Sequence, residues 1–204
     1  MILYLEFLVE DLSTKQALSY ILPKILEEQV SFNIHPFRGK PDLLLKLPNR
    51  LQGYKKWIDH NYKIIILIDK DREDCKKLKQ KLENIAIQAG LVTKSSQGNK
   101  KSFQVLNRIV IEELEAWFFG DINAICQAYP KVSPDLGKQA KYRDPDAING
   151  GTWEALEKVL QSKGYHKGGL EKSHAAKEIS QYMNPQQNSS RSFQVFYQGL
   201  LKII

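Results

Sequence analysis

Apolar positions in the first half of the chain form short runs separated by segments with helical spacing. The runs Ile2–Val9, Val30–Phe37, Lys63–Ile68 and Val105–Ile111 predict four β-strands. Lys63–Ile68 is β-branched and almost continuous, which is typical of a central strand buried on both faces. Alternation of strands and helices predicts an α/β fold with a mostly parallel sheet flanked by helices.

The helical segments carry their own start and stop residues. Ser13 with Gln16 predicts a capping box at the start of a helix, and Pro23 is expected to shorten that same helix at its end. Pro41 can open a second helix, in which Pro48 is a local inconsistency. A third helical pattern runs from Leu78 to Ala89, and the polar stretch Lys94–Lys101 predicts a loop.

Beyond Tyr129 the pattern changes, because prolines and two Gly-Gly pairs separate short helical segments at 152–163 and 171–183. We therefore predict two parts: a sheet domain over residues 1–130, and a C-terminal helical appendage over residues 131–204 that packs on it.

Acidic residues follow three of the predicted strands. Glu10 ends the first, Asp69 and Asp71 end the third, and Glu113 and Glu115 follow the fourth. The carboxyl ends of parallel strands meet at one edge of a sheet, so we expect these side chains to converge. Converging carboxylates repel unless a cation neutralises them, and oxygen ligands suit Mg²⁺ or Mn²⁺. The sequence predicts a metal site formed by these five residues.

Each acidic group also has a structural interpretation. Asp69 or Asp71 could cap the helix that carries Leu78. The glutamates at 112, 113 and 115 could be first-turn acids that the helix dipole favours. The coincidence of all three groups favours the metal site.

Glu10 and Asp69-Lys70-Asp71 resemble the glutamate and Asp-x-Asp motif of the Toprim fold, found in topoisomerases, DnaG-type primases and overcoming-lysogenization-defect nucleases. A longer resemblance is to the Toprim-like family called domain of unknown function 4276. It rests on Leu8-Val9-Glu10, Asp69–Arg72, Glu113–Trp117, Gly150-Gly151 and Ser192-Phe193. One departure is Asp11, where many Toprim proteins have glycine.

The resemblance implies metal-dependent phosphodiester chemistry beside an ATPase, in genome maintenance or phage defence. It implies that Asp69 and Asp71 bind metal and that Glu10 binds metal or acts as general acid or base. Glu113 or Glu115 would complete the site, and the choice between them stays open. Trp117 is expected to pack against the sheet.

The excess of positive charge also favours a polyanionic partner. The chain has 30 Lys and Arg against 23 Asp and Glu, a formal charge of +7. The residues predicted to contact nucleic acid are Arg38, Lys40, Arg72, Lys167 and Arg191, with Lys172 as a catalytic cation that offsets charge in the transition state. Solvated surface charge is the alternative interpretation for each of them.

Several classes of protein find no support. Cys75 and Cys126 lie far apart, which argues against a zinc site and an oxidising compartment, so we expect a cytoplasmic protein. The opening apolar run is short and lacks a basic lead-in, so we expect a strand and not a secretion signal, and no run is long enough to span a membrane. No phosphate-binding loop occurs, so any ATP-driven step would come from a partner.

The sequence thus predicts a magnesium- or manganese-dependent nuclease acting on DNA or RNA, working with a separately encoded ATPase. Two other interpretations stay open. A receiver-like signalling module would accept phosphate on Asp69, and a non-catalytic adaptor of an ATPase would keep the acids as a structural magnesium site. The basic charge disfavours action on free nucleotides.

Overall fold

The computed structural model describes residues 2–98 and 102–204, so part of the predicted loop, residues 99–101, lies outside the described residues. The described residues form four strands: β1 (Leu3–Val9), β2 (Val30–Pro36), β3 (Tyr62–Asp69) and β4 (Val105–Val110). They also form α1 (Leu12–Ile21), α2 (Lys40–Lys55), α3 (Cys75–Gln88), α4 (Glu115–Phe119), α5 (Ile122–Ala128), α6 (Thr152–Ser162), α7 (Lys172–Ser180) and α8 (Arg191–Leu201).

The four strands form one parallel sheet in the order β2-β1-β3-β4. Strand β1 lies inside the sheet: Leu5 is in register with Phe32 of β2 on one side and with Lys63 of β3 on the other. The predicted α/β class, with a mostly parallel sheet flanked by helices, is confirmed. This topology places the ends of β1 and β3 next to each other.

The chain separates into two compact units. The sheet unit contains Met1–Leu12, Leu26–Ile109 and Ile204, and the helical unit contains Ser13–Ile25 and Val110–Ile203. The units thus divide the second half of the chain at 109/110, whereas the sequence places a domain boundary at 130/131. That domain boundary stays a prediction.

The core of the sheet unit lies between the sheet and helices α2 and α3. Ile64, Ile66 and Ile68 of β3 contact it together with Leu8 of β1. The helices contribute their apolar faces, namely Leu43, Leu47, Leu51 and Tyr54 of α2 with Leu78, Leu82 and Ala86 of α3. The intervening residues Ile65 and Leu67 are also at most 1% exposed, so β3 is buried on both faces, as its sequence predicts.

Three predictions from the sequence concern where helices α1 and α2 begin, end or are interrupted. Helix α1 begins at Leu12, so Ser13 lies inside its first turn and the predicted capping box is placed two residues too late. Pro23 lies in the 3₁₀ turn after α1, as expected of a residue that shortens a helix. Helix α2 continues through Pro48, whose missing N–H removes one backbone hydrogen bond.

The helical unit has its own aromatic core. Trp117 of α4 is fully buried, with its ring centroid 5.0 Å from those of Phe193 and Phe196 of α8, and its Nε1 donates to Ser192 Oγ. Trp117 was expected on the sheet, and these contacts place it against α8. Within the described residues, no helix is both long and apolar enough to cross a membrane.

Candidate active site at the ends of β1 and β3

Glu10 and Asp69 lie next to each other because β1 and β3 are neighbouring parallel strands. The backbone N–H of Asp69 donates to Glu10 Oε2 at 3.1 Å. The backbone of Glu10 is held from the other side, where its carbonyl accepts from Gly39 N at 2.9 Å. Two residues that are 59 positions apart in sequence therefore meet at one edge of the sheet.

Asp71 and Lys40 extend this group. Lys40 Nζ lies 2.6 Å from Asp71 Oδ2 and 3.1 Å from Glu73 Oε1, and it donates to the Lys70 carbonyl at 3.2 Å. Asp71 has φ of 49°, a conformation that costs energy for a residue other than glycine and that occurs often at functional sites. We call Glu10, Asp69 and Asp71, with Lys40, the acidic cluster.

The charges in the acidic cluster influence one another. Burial raises the pKa of Glu10 to about 7, with further increases from Asp71 and Asp11; the Asp69 N–H and Lys40 oppose this change. Burial lowers the pKa of Lys40, but its bonds to Asp71 and Glu73 outweigh burial, so the net change is upward. At neutral pH Lys40 is therefore charged, and Glu10 is divided between its two protonation states.

The capping alternative for Asp69 and Asp71 is wrong. Helix α3 is capped by Asp74, whose Oδ1 accepts from Lys77 N at 2.8 Å. Asp69 ends β3, and Asp71 lies three residues before the N-cap. Their positions are therefore not explained by the start of α3.

The acidic cluster offers oxygen donors of the kind that Mg²⁺ and Mn²⁺ prefer. Burial is the main cause of the raised pKa of Glu10, and the negative charge of Asp71 adds to it, so a divalent cation would relieve this repulsion. Within the described residues, no three His, Cys, Asp or Glu side chains are already grouped as metal ligands. Mg²⁺ usually binds one or two protein carboxylates and keeps several waters, so the donor set fits such an ion.

Glu113 and Glu115 belong to the helical unit. Glu113 Oε2 accepts from Thr152 N at 3.1 Å, Thr152 Oγ1 at 2.9 Å and Trp153 N at 3.1 Å, so it caps the start of α6. Gly151, with φ of 87°, provides the turn that exposes these two N–H groups. Glu115 is 2% exposed within α4. Metal binding by either glutamate stays a prediction.

The predicted basic residues have different environments. Arg38 and Arg72 are exposed in the sheet unit, and Lys167 and Arg191 are exposed in the helical unit. Lys40 is buried in the acidic cluster instead. Lys172 Nζ lies 4.8 Å from the ring centroid of Trp153, the residue whose N–H binds Glu113. Their roles in binding nucleic acid, and the catalytic role of Lys172, stay predictions.

Sequence reasoning missed a second polar group in the sheet unit. Glu6 is 6% exposed in β1 and accepts from Asn33 Nδ2 at 3.0 Å and from Tyr54 OH at 2.9 Å. His35 Nε2 lies 2.6 Å from Glu6 Oε2. The detectable feature was Glu6 itself, a charged residue within the apolar run Ile2–Val9.

Comparisons with known proteins identify the family. The model of the family described as "Domain of unknown function (DUF4276)" matches residues 9–201. No match to the chain was found among the curated proteins. Among solved structures, the chain is similar to the "C-terminal region of the Burkholderia pseudomallei OLD protein", with 14% identity and a TM-score of 0.47 over 98% of this chain and 95% of that one. Because the family model spans almost the whole sequence, the chain belongs to the DUF4276 family.

Proposed function

We propose that this protein is a metal-dependent phosphodiesterase that acts as a nuclease on DNA or RNA. The observation that carries the proposal is the meeting of Glu10 and Asp69 at neighbouring strand ends, where burial raises the pKa of Glu10 and the Asp71 charge adds to that increase. Structural capping does not account for the two aspartates, since Asp74 caps α3.

Asp69 and Asp71 would hold Mg²⁺ or Mn²⁺ through their carboxylate oxygens. When bound, such an ion supplies Lewis-acid polarisation and orients phosphate oxygens. The protein positions these carboxylates through β3, which is buried, and through the left-handed conformation at Asp71. Glu113 or Glu115 completing this site remains part of the proposal.

Glu10 would hold or move a proton at its carboxylate. A general acid or base works best when its pKa lies near the working pH, and burial beside Asp71 brings the pKa of Glu10 to about 7. The hydrogen bond from Asp69 N fixes one oxygen, Oε2, so the carboxylate has a defined orientation.

Cationic side chains would hold the phosphate backbone. Lys40 lies inside the acidic cluster, while Arg38 and Arg72 are exposed in the same unit. In the helical unit Lys167, Lys172 and Arg191 would serve the same purpose. We further propose that the protein acts in the cytoplasm, in phage defence or genome maintenance. Because its own sequence lacks a phosphate-binding loop, any ATP-driven step would come from a separately encoded ATPase.

The test is cleavage of plasmid, single-stranded DNA and RNA by the purified full chain with Mg²⁺, Mn²⁺ or EDTA. We expect cleavage with a metal and none with EDTA. Asp69→Ala and Glu10→Ala should both abolish it, while Glu28→Gln, which alters an exposed carboxylate, should leave it unchanged. Equal cleavage by wild type and both active-site variants would reject the proposal.

The same preparation separates the two other interpretations. A receiver-like module would become labelled on Asp69 by a small phosphodonor and would cleave nothing. An adaptor with a structural magnesium site would lose stability in Asp69→Ala and show no cleavage with any partner.

A further inference from the structure

A cleft with a volume of about 400 Å³ lies in the sheet unit, beside the second half of α2. Its floor is formed by Glu6 of β1 and Tyr54 of α2, and its walls by Asn33, His35, Asn49, Arg50 and Trp57. We call it the Glu6 cleft. Small-molecule sites typically enclose about 300–1,000 Å³, so it is large enough for a ligand of nucleotide size.

The floor of the Glu6 cleft is a closed hydrogen-bond network. Arg50 Nη2 lies 3.2 Å from His35 Nδ1, and a guanidinium can only donate, so Nδ1 is the acceptor. The remaining proton of neutral His35 is then on Nε2, which donates to Glu6 at 2.6 Å. Glu6 thus receives three side-chain donors, from Asn33, His35 and Tyr54.

Arg50 is an exposed residue of the cleft wall that two contacts orient. Its Cζ lies 5.4 Å from the ring centroid of Tyr54, and His35 accepts from one of its nitrogens. A guanidinium carries five N–H donors, so most of the fork stays available to an anion. Oriented guanidinium groups bind phosphate through paired hydrogen bonds.

Trp57 provides an exposed aromatic surface beside Arg50. Its side chain is 56% exposed, although it is the largest apolar type of side chain. Its ring makes a T-shaped contact with Tyr62 at a centroid distance of 5.1 Å, Tyr54 lies at 5.4 Å, and Tyr4 stacks on Tyr62 at 4.8 Å. These rings fix the indole in place, so its exposed area is a preformed stacking surface.

The remaining walls carry amides. Asn33 and Asn49 are both exposed residues; Asn33 uses one N–H on Glu6 and keeps a second N–H and its oxygen, and Asn49 carries a second amide. Amide groups of this kind pair with the edges of nucleobases. Stacking on an aromatic ring contributes about 1–3 kcal/mol per base, whichever base is present.

We propose that the Glu6 cleft binds a nucleobase together with its phosphate, with the base stacked on Trp57 and the phosphate on Arg50. The base and phosphate could belong to a free mononucleotide or to a single-stranded nucleic acid, since both present the same groups. The cleft is separate from the acidic cluster: Lys40 begins α2 at that cluster, and Asn49–Trp57 lie at the other end of the same helix. The proposal does not depend on cleavage.

The test is a fluorescence titration of the Asp69→Ala chain in EDTA, so that binding is measured without turnover. The ligands are AMP, CMP, adenosine, inorganic phosphate and an oligothymidylate. We expect saturable quenching by the mononucleotides or by the oligonucleotide, and at least tenfold weaker binding of adenosine and of phosphate alone. A tighter mononucleotide identifies free nucleotide as the source, and a tighter oligonucleotide identifies a single strand.

Four variants locate the binding site. Arg50→Ala and Trp57→Ala should each weaken binding at least tenfold, with Trp57→Ala followed by calorimetry because it removes the probe. Lys46→Ala removes a cation from the same helix outside the cleft, and Tyr182→Ala removes an exposed aromatic from the helical unit; both should bind within twofold of the parent. Circular dichroism checks that each variant is folded.

The proposal is wrong if no mononucleotide or oligonucleotide binds with a Kd below about 1 mM. It is also wrong if folded Arg50→Ala and Trp57→Ala bind as tightly as the parent. Because the titration measures binding in EDTA and not cleavage, failure of the proposed nuclease function would not change either result.

Discussion

Glu6 and Glu10 are the same residue type on the same strand segment, yet the protein changes their pKa values in opposite directions. Glu6 is buried within β1 and Glu10 is half-buried directly after it, and each interacts with α2: Glu6 through the hydroxyl of Tyr54, and Glu10 through the charge of Lys40. Burial raises the pKa of each. At Glu6 the hydrogen bonds from Asn33, His35 and Tyr54 outweigh burial and hold the pKa below its ordinary value of 4.5.

At Glu10 the balance is reversed. One backbone N–H, from Asp69, lowers its pKa, but burial and the negative charges of Asp71 and Asp11 are larger, and the pKa rises to about 7. Position on a strand therefore does not determine the state of a buried carboxylate. The number of donors and the sign of neighbouring charges determine it.

The largest expected difference is catalytic. Glu10→Gln should lower kcat for cleavage by about 10²–10⁴-fold, because the group that holds the proton is lost. Glu6→Gln should leave kcat within about threefold, because Glu6 is about 13 Å along β1 from Glu10, and any effect should be confined to KM. Steady-state kinetics on one oligonucleotide measures both. A similar loss of kcat in the two variants would remove the distinction between the sites.

For stability, the large effect is expected at Glu6. Glu6→Ala leaves three buried or partly buried donors without their acceptor, and we expect a loss of about 2–3 kcal/mol in the free energy of unfolding. The control Glu28→Ala, at an exposed position, should change it by less than about 0.5 kcal/mol. Urea denaturation at pH 7 in EDTA makes the measurement, and equal stability of Glu6→Ala and wild type would contradict it.

The pH dependence of stability should differ in sign between the two sites. Between pH 4.5 and about 7 the folded protein keeps the Glu10 proton that the unfolded chain has lost, so stability falls as pH rises. Glu10→Gln removes this fall and should be more stable than wild type at pH 8 by on the order of 1–2 kcal/mol.

Glu6 contributes stability that is present above pH 4.5 and is lost as pH falls through its lower folded pKa. Glu6→Gln should therefore lack that loss at acidic pH. Denaturation series from pH 3 to 8 in EDTA test both slopes. Parallel curves for wild type and Glu10→Gln between pH 4.5 and 7 would show that Glu10 does not keep its proton.

The smallest expected effect is the number of protons that the protein releases when a cation binds. At pH 7 about half of the Glu10 side chains carry a proton, and a bound cation should displace it, so saturation with Mg²⁺ should release about half a proton per chain. Calorimetry in buffers of different ionisation enthalpy measures this number. Glu10→Gln should release none, and Glu6→Gln should release as much as wild type.

The sheet and the meeting of Glu10 with Asp69 could be predicted because local sequence and parallel topology determine them. The β-branched run before Asp69 specifies a buried central strand, and parallel topology then places its end beside Glu10. The alternative cap at Asp69 or Asp71 could not be rejected from sequence, because Asp74 follows closely and has equal capping propensity.

The Glu6 cleft could not be predicted, because it depends on cross-strand register. Glu6 meets Asn33 only because β1 and β2 pair in that register, and Tyr54 reaches it from a helix whose position the sequence does not state. Helix α8 was missed for a similar reason. Its start is set by Ser190, an N-cap that also contacts the distant Asp146.

Helix α2 has Lys40 at one end and the cleft residues Asn49 and Arg50 near the other, and Pro48 lies between them. Because proline lacks an N–H, the helix is missing a backbone hydrogen bond at that point and bends there more easily than elsewhere. If a bound ligand displaced Arg50, bending of the helix at Pro48 would absorb the displacement before it reached Lys40. We therefore expect that a ligand in the cleft leaves the positions of the carboxylates nearly unchanged.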